Sequence, residues 1–248
     1  MKKLLILSIS LNLFFLLAFG YIIHRKGGLT YVKTKLGMEI TSTTDNQKPS
    51  WYYKNYKYWT EKKTMFEILP QKQNQIVFVG NSITDGCEWS ELFDNPKIIN
   101  RGIGGDNTEG LLERLADITK IQPEKIFLEI GINDLGVPLN TNEIKTNYGK
   151  IIDKIKRESP NSQIFVQSVL PTRDHRIIKN DSVIILNQKL QELATDRSLT
   201  FINLYDNFKD SSGNLSDKYS IDGVHLLGKG YQLWKDLIYN YVSASTNK

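Results

Sequence analysis

The chain has 248 residues, with 40% hydrophobic and 24% charged residues, which is ordinary for a globular protein with a full core. Its net charge of +5 is carried by scattered lysines rather than by a basic block, so the sequence predicts no nucleic-acid partner. The single cysteine, Cys87, excludes an internal disulfide and a cysteine-based zinc cluster. The three histidines are too dispersed to suggest a ligand set, so we expect no metal and no other cofactor.

The N-terminus begins with Met-Lys-Lys and continues with an uncharged, mostly apolar stretch over residues 4–23. Such a stretch is long enough to cross a bilayer as a helix, and a shorter apolar region ending at a small-x-small site also fits a signal peptide. We therefore expect residues 1–26 to be a signal peptide or an N-terminal membrane anchor. Either alternative predicts a domain outside the cytoplasm, held at the periplasmic or extracellular face of a membrane or secreted after cleavage.

Residues 27–50 are rich in Gly, Thr, Ser, Asn and Lys, and this composition is typical of a linker. Residues 51–72 then place aromatic side chains at helical spacing, namely Trp51, Tyr52, Tyr56, Trp59 and Phe66. This stripe predicts a helix packed on the following domain. The alternative interpretation is an exposed surface on which sugar rings stack.

From residue 73 to residue 248, short apolar runs alternate with amphipathic stretches. The runs are nearly continuous in apolar residues, which is typical of parallel strands covered on both faces. The predicted strands cover 76–80, 97–100, 125–131, 163–170 and 199–205, and the predicted helices cover 107–119, 142–158, 181–197 and 227–242. The alternation predicts an α/β fold, a three-layer α/β/α sandwich around a flavodoxin-like five-stranded parallel sheet.

Four polar or glycine-containing blocks follow these strands in order. They are Gly80-Asn81-Ser82, Asn100 to Asp106, Gly131-Ile132-Asn133-Asp134, and Asp222-Gly223-Val224-His225. Ligands bind beyond the carboxyl ends of the strands in open α/β sheets, so these blocks are candidates for one site. Together they supply what acyl transfer needs: a hydroxyl nucleophile, an imidazole base, a carboxylate to orient it, and donors for an oxyanion.

The same four blocks resemble those of the SGNH hydrolases, the GDSL-type esterase/lipase family, over roughly residues 74–242. The segments "CEWSELF" and "NRGIGGDNT" are most similar to the subgroup of platelet-activating-factor acetylhydrolases and sialate or polysaccharide O-acetylesterases. The resemblance implies that Ser82 is the nucleophile, with His225 as base and Asp222 as its orienting carboxylate. It also implies an oxyanion hole formed by Ser82, Gly105 and Asn133.

One position departs from the family pattern, because Asn81 stands where an aspartate usually precedes the serine. Asparagine is isosteric and still able to form hydrogen bonds, so we expect the loop to keep its fold. Asn81, Asp106 and Arg173 are candidates for substrate binding, and Arg173 in the loop after the fourth strand is suited to an anionic substrate.

We therefore predict a serine esterase that hydrolyses short-chain, O-acetyl esters on carbohydrate through a Ser-His-Asp triad and an acyl-enzyme. The expected partner is a small-molecule or glycan ester, with a membrane contacted only through the N-terminal segment. Two alternatives stay open: a lysophospholipase or short-chain lipid esterase, and a non-catalytic glycan-binding domain. The sequence does not reveal an oligomeric state.

Overall fold

The computed structural model describes residues 52–70, 72–137 and 139–244, together with residues 12, 15 and 21. The chain divides into two units, residues 1–47 and residues 48–248. The predicted signal peptide or anchor over 1–26 and the predicted linker over 27–50 lie outside the described residues, apart from those three positions. Within the described part of the chain, no helix combines the length and the apolar character needed to span a membrane.

The second unit is built on a five-stranded sheet in which every neighbouring pair of strands is parallel. The strands are β1 (Ile76–Gly80), β2 (Ile98–Gly102), β3 (Lys125–Glu129), β4 (Gln163–Gln167) and β5 (Thr200–Ile202). Their spatial order, β2-β1-β3-β4-β5, is the flavodoxin-like order and confirms the predicted fold class.

Helices connect the strands and cover the sheet. They are α1 (Lys57–Ile68), α2 (Ser82–Asp85), α3 (Trp89–Leu92), α4 (Thr108–Arg114), α5 (Ala116–Thr119), α6 (Ile132–Leu135), α7 (Thr141–Glu158), α8 (Asn180–Asp196), α9 (Tyr205–Phe208) and α10 (Gly228–Ser243). The helix predicted over 107–119 is divided into α4 and α5, which are separated by Leu115.

The core follows from the apolar runs, since every residue of β1 and of β3 is buried. On one face, the rings of Phe78, Phe127 and Phe165 stack across three strands, with centroids 5.0 and 4.7 Å apart. Trp89 of α3 stacks on Phe78 and also meets Trp234 of α10 edge-on, so these two helices cover that face. Helices α4, α7 and α8 pack side by side as a second helical layer.

The segment before β1 belongs to the same unit as the sheet. A 3₁₀ turn at Tyr53–Asn55 leads into α1, and both carry aromatic side chains inward. Four aromatic residues of this segment, including Tyr52 just before the turn, form a second hydrophobic cluster with two residues from the loops after β2 and after α6. The cluster consists of Tyr52, Tyr53, Trp59, Phe66, Ile103 and Val137. Burial of large aromatic rings contributes strongly to packing, so this segment is fixed beside the carboxyl ends of the strands.

Candidate active site

The candidate nucleophile lies on a tight turn between β1 and α2. A Cβ atom at Gly80 would lie 2.1 Å from Thr84 Oγ1 and 2.2 Å from the backbone oxygen of Glu129, so only glycine fits there. Asn81 caps α2, because its side-chain oxygen accepts a hydrogen bond from the backbone N–H of Ile83 at 2.8 Å. The loop therefore forms with asparagine in place of the usual aspartate, and it leaves Ser82 partly exposed.

A continuous chain of hydrogen bonds joins the three predicted catalytic residues. Ser82 Oγ lies 3.0 Å from His225 Nε2, and His225 Nδ1 lies 2.7 Å from Asp222 Oδ2. The serine and the histidine are 143 residues apart in sequence, so only the folded sheet brings them together. This arrangement allows the imidazole to take the hydroxyl proton at one nitrogen while the carboxylate orients the other nitrogen.

The Asp222 carboxylate is held by its own turn as well as by the imidazole. Its Oδ1 accepts backbone N–H groups from Val224 at 2.9 Å and from His225 at 2.8 Å. Partial desolvation opposes ionisation, but the hydrogen bonds from the His225 side chain and from these two N–H groups outweigh it and lower the pKa of Asp222 to about 2. The carboxylate is therefore charged at neutral pH.

Arg173 supports the turn that carries Asp222 and His225. Its guanidinium donates to the backbone oxygens of Leu215 at 2.9 Å and of Ser220 and Ile221 at 3.1 Å, and it forms an ion pair with Asp217. Its backbone N–H donates to the carbonyl of Gly223 at 2.9 Å. The guanidinium of Arg173 is therefore directed at the loop that leads to Asp222 and His225.

Gly223, which lies between the predicted catalytic residues Asp222 and His225, has a conformation that glycine favours. Its φ is +80°, and a Cβ atom there would lie 2.2 Å from the backbone oxygen of Arg173. The loop therefore contacts the Arg173 backbone directly, and a residue larger than glycine does not fit at position 223.

The predicted oxyanion donors come from two other loops. Gly105 lies in the tight turn after β2 and has a φ of +76°. Asn133 lies in α6, the short helix that follows β3. The Asn133 side-chain amide donates to the backbone oxygen of Asp106 at 2.8 Å, which ties α6 to the residue following Gly105. The amide has a second N–H, for which the described residues offer no partner.

Asp106 has no exposed surface and is the centre of a buried network. Its Oδ2 accepts from Arg114 Nε at 2.7 Å and lies 2.7 Å from an Arg114 terminal nitrogen, while its Oδ1 accepts from the indole N–H of Trp59 at 2.8 Å. Arg114 also reaches the backbone oxygen of Gly80 at 3.2 Å. A buried carboxylate needs such partners, and here they connect the loops after β1 and β2.

The structure thus brings Ser82, His225 and Asp222 together, but it gives the three predicted substrate-binding residues internal contacts instead. Asn81 and Asp106 are fully buried and hydrogen-bonded within the protein, and the Arg173 guanidinium donates to backbone oxygens of the loop that leads to Asp222. The Asp106 carboxylate and the Arg173 guanidinium find their hydrogen-bond partners in distant segments of the chain. Asn81 instead caps its own turn, and its buried amide nitrogen has no hydrogen-bond partner among the described residues.

Sequence reasoning missed several residues that shape the site. Trp59 was predicted to pack on the domain or to stack with sugars, and Tyr58 was not singled out, yet both donate hydrogen bonds toward the loops of the site. Asp134, the last residue of the third block, is fully buried, and its carboxylate accepts the backbone N–H of Thr108 at 3.1 Å. Desolvation raises the pKa of Asp134 to about 7. Aromatic spacing signalled the packing, but no sequence signal identified the hydrogen-bond partners.

Within the described residues, no group of three or more His, Cys, Asp or Glu side chains is arranged to hold a metal ion. Cys87 is buried, and desolvation raises the pKa of its thiol to about 12. This thiol is therefore protonated at neutral pH and is a poor nucleophile.

Comparison with known proteins shows which family this chain is similar to. The GDSL-like Lipase/Acylhydrolase family model matches residues 78–233, more than half of the chain. Platelet-activating factor acetylhydrolase IB subunit alpha1 of Pongo abelii is 28% identical over 171 residues, covering 64% of this chain and 71% of that protein. N-acylneuraminate cytidylyltransferase of Escherichia coli O18:K1:H7 is 30% identical over 212 residues, covering 82% of this chain but only 48% of that protein.

A solved structure from Streptococcus pneumonia, provisionally described as a platelet activating factor, is similar in fold. It has a TM-score of 0.67 and 33% sequence identity, covering 75% of this chain and 91% of that one. The family resemblance predicted from the four sequence blocks is confirmed. The chain belongs to the GDSL-like lipase/acylhydrolase family, and it is an esterase or acylhydrolase.

Proposed function

We propose that the protein is a serine esterase that removes short acyl groups, chiefly acetyl, from carbohydrate hydroxyls through an acyl-enzyme. The observation that carries the proposal is the hydrogen-bonded chain from Ser82 Oγ to His225 Nε2 at 3.0 Å and from His225 Nδ1 to Asp222 Oδ2 at 2.7 Å. A hydroxyl is a weak nucleophile by itself, and an adjacent base within hydrogen-bond reach is what activates it.

In the first half-reaction, the Ser82 oxygen attacks the ester carbonyl carbon while His225 Nε2 takes the hydroxyl proton. The Asp222 carboxylate accepts the Nδ1–H and stabilises the imidazolium that results. When the tetrahedral intermediate collapses, the bond to the alcohol oxygen breaks, and His225 gives the proton to the departing alkoxide. The product is the free alcohol, and the acyl group stays on Ser82.

In the second half-reaction, a water molecule attacks the acyl-enzyme, and His225 takes its proton in the same way. Collapse of the second intermediate returns the proton to the Ser82 oxygen and releases the carboxylic acid. In both intermediates the carbonyl oxygen becomes negatively charged and needs fixed donors. We assign the backbone N–H groups of Ser82 and Gly105 and the second amide N–H of Asn133 to this task.

The substrate class is supported by the exposure of the site and by the names of two relatives. The side chains of His225 and Asp222 are 53% and 55% exposed, which suits the approach of a bulky polar acceptor better than that of a long acyl chain. One relative is named as an acetylhydrolase, and another is named for N-acylneuraminate, a sugar acid. The cytidylyl transfer in the latter name is not carried over, since the match covers less than half of that protein.

The second candidate is a short-chain lipid esterase or lysophospholipase. It is favoured by the name of the platelet-activating factor acetylhydrolase, which is 28% identical to this chain. The two candidates share the same triad and differ only in the alcohol that leaves, so a comparison of substrates separates them.

The test uses the purified full-length chain with p-nitrophenyl acetate, acetylated oligosaccharides, longer p-nitrophenyl esters and lysophospholipids. We expect turnover of the acetyl esters, higher kcat/KM on acetylated sugars than on lipids, and labelling of Ser82 by a fluorophosphonate. Ser82→Ala and His225→Ala should nearly abolish turnover, while Asn133→Ala should lower kcat by about 10²–10³.

Ser212→Ala, at an exposed serine ten residues before Asp222, is the matched control and should leave turnover unchanged. Normal turnover in Ser82→Ala would overturn the nucleophile assignment. Preference for lysophospholipid over every acetylated sugar would replace the carbohydrate proposal by its lipid rival.

A further inference from the structure

We propose that Tyr58 and Trp59, at the start of α1, are positioning residues that hold the oxyanion loop after β2 in its catalytic geometry. Both residues lie outside residues 78–233, the part of the chain that matches the family model. The inference rests on the proposed function, because it assigns these residues to the oxyanion hole described above.

Tyr58 connects the oxyanion loop to the helix that carries the nucleophile. Its hydroxyl donates to Asp85 Oδ2 at 2.7 Å, and the same carboxylate oxygen accepts the backbone N–H of Gly104 at 3.2 Å. Asp85 is the last residue of α2, which begins at Ser82. The Gly104 N–H and the Tyr58 hydroxyl thus share one acceptor, one helical turn from the nucleophile.

The Tyr58 ring also limits the position of the loop by direct contact. A Cβ atom at Gly104 would lie 3.3 Å from two carbons of this ring, so the loop backbone packs closely against the ring. Burial and the hydrogen bond to Asp85 raise the pKa of Tyr58, which keeps its hydroxyl protonated as a donor. Gly105, the next residue along, carries one of the assigned oxyanion donors.

Trp59 acts on the other side of the same loop. Its indole N–H donates to Asp106 Oδ1 at 2.8 Å, and the backbone oxygen of Asp106 accepts the Asn133 amide at 2.8 Å. Asp106 is therefore fixed by its side chain to α1 and by its main chain to Asn133, a second assigned oxyanion donor. A shift of Asp106 would move both Gly105 and Asn133.

Preorganised donors stabilise the transition state only when they are fixed before the oxyanion forms, and small displacements reduce their effect. The hydrogen bonds from Tyr58 and Trp59 end on the two carboxylates that hold this loop, Asp85 and Asp106, and Lys62 of α1 also pairs with Asp85 at 3.0 Å. A role in positioning therefore predicts a loss in kcat, whereas a role in packing alone predicts a loss only in the amount of folded protein.

The test compares Tyr58→Phe and Trp59→Phe with Tyr53→Phe in the full-length chain, using p-nitrophenyl acetate. Active sites are counted by fluorophosphonate titration, so kcat refers to folded enzyme only. Tyr53→Phe is the matched control, because its hydroxyl donates to Glu113 at 2.8 Å on α4 and not to the oxyanion loop. We expect kcat per active site to fall about tenfold for Tyr58→Phe and Trp59→Phe, less than for loss of a donor, and to stay unchanged for Tyr53→Phe.

A second measurement identifies the group through which Trp59 acts. In an Asn133→Ala background, Trp59→Phe should lower kcat by about threefold or less, because the donor it helps to place is already gone. Values of kcat per active site within twofold of wild type for both Tyr58→Phe and Trp59→Phe would overturn the proposal, even if protein yield falls. A wild-type chain that neither turns over the ester nor reacts at Ser82 would instead refute the proposed function itself.

Discussion

Replacing Arg173 by methionine tests whether this side chain positions the catalytic loop or binds substrate. The substitution keeps most of the apolar stem and removes the guanidinium. That group donates to the backbone oxygens of Leu215, Ser220 and Ile221, and its loss would free the loop leading to Asp222. The structure predicts a positioning role, whereas the sequence had suggested contact with an anionic substrate.

The expected magnitude follows from those three hydrogen bonds. A hydrogen bond from a charged donor contributes about 1.5–3 kcal/mol, but water can replace part of it here because 18% of the side chain is exposed. If about 2 kcal/mol of loop order is lost at the transition state, kcat falls about 30-fold, since each 1.36 kcal/mol corresponds to a factor of ten. KM for a neutral ester should change little.

The assay measures kcat and KM on neutral p-nitrophenyl acetate and on an anionic acetylated sugar acid. A positioning role lowers kcat on both substrates by a similar factor. Arg176→Met is the matched control, because Arg176 is exposed in the same loop and makes no hydrogen bond or ion pair with the described residues. If Arg173→Met leaves kcat on p-nitrophenyl acetate unchanged and raises KM only for the anionic substrate, the positioning argument is refuted.

Two further predictions concern the carboxyl groups of Glu129 and Asp222. Both oxygens of Glu129 are buried without a hydrogen-bond partner among the described residues, and desolvation raises its pKa from 4.5 to about 8. The wild-type protein should therefore lose stability as pH rises from about 4.5 toward 8. In urea unfolding, Glu129→Gln should be more stable than wild type by about 3 kcal/mol at pH 7 and by little at pH 4. An advantage that is equal at both pH values would refute this. Asp222→Asn should lower kcat by about 10³–10⁴ through loss of imidazole orientation. Because the pKa of Asp222 is lowered to about 2, the ionised carboxylate contributes to stability above about pH 4, and this contribution is lost as pH falls toward 2. A difference in the free energy of unfolding between wild type and Asp222→Asn that persists unchanged at pH 2 would contradict the assignment.

The sequence alone predicted the architecture, which the structure confirms, and the candidate site, because both predictions depend on short-range signals. Continuous apolar runs between amphipathic stretches specify parallel strands covered by helices, and the strand order follows from the usual connections. Ser82, Asn133, Asp222 and His225 were identifiable because each follows a strand or precedes the last helix, in blocks of fixed spacing. The strand boundaries differ, since the strand predicted over 199–205 covers only Thr200–Ile202 and α9 begins at Tyr205.

Only the tertiary structure decided what the other polar groups do. Asp106 was expected at the substrate, but it meets Trp59, which is 47 residues away, and Arg173 meets backbone oxygens 42 to 48 residues away. A charged residue near a strand end can face solvent or a neighbouring loop, and local spacing does not distinguish the two. The choice depends on which distant segment covers the residue, since a carboxylate or guanidinium that is buried must find its partners there.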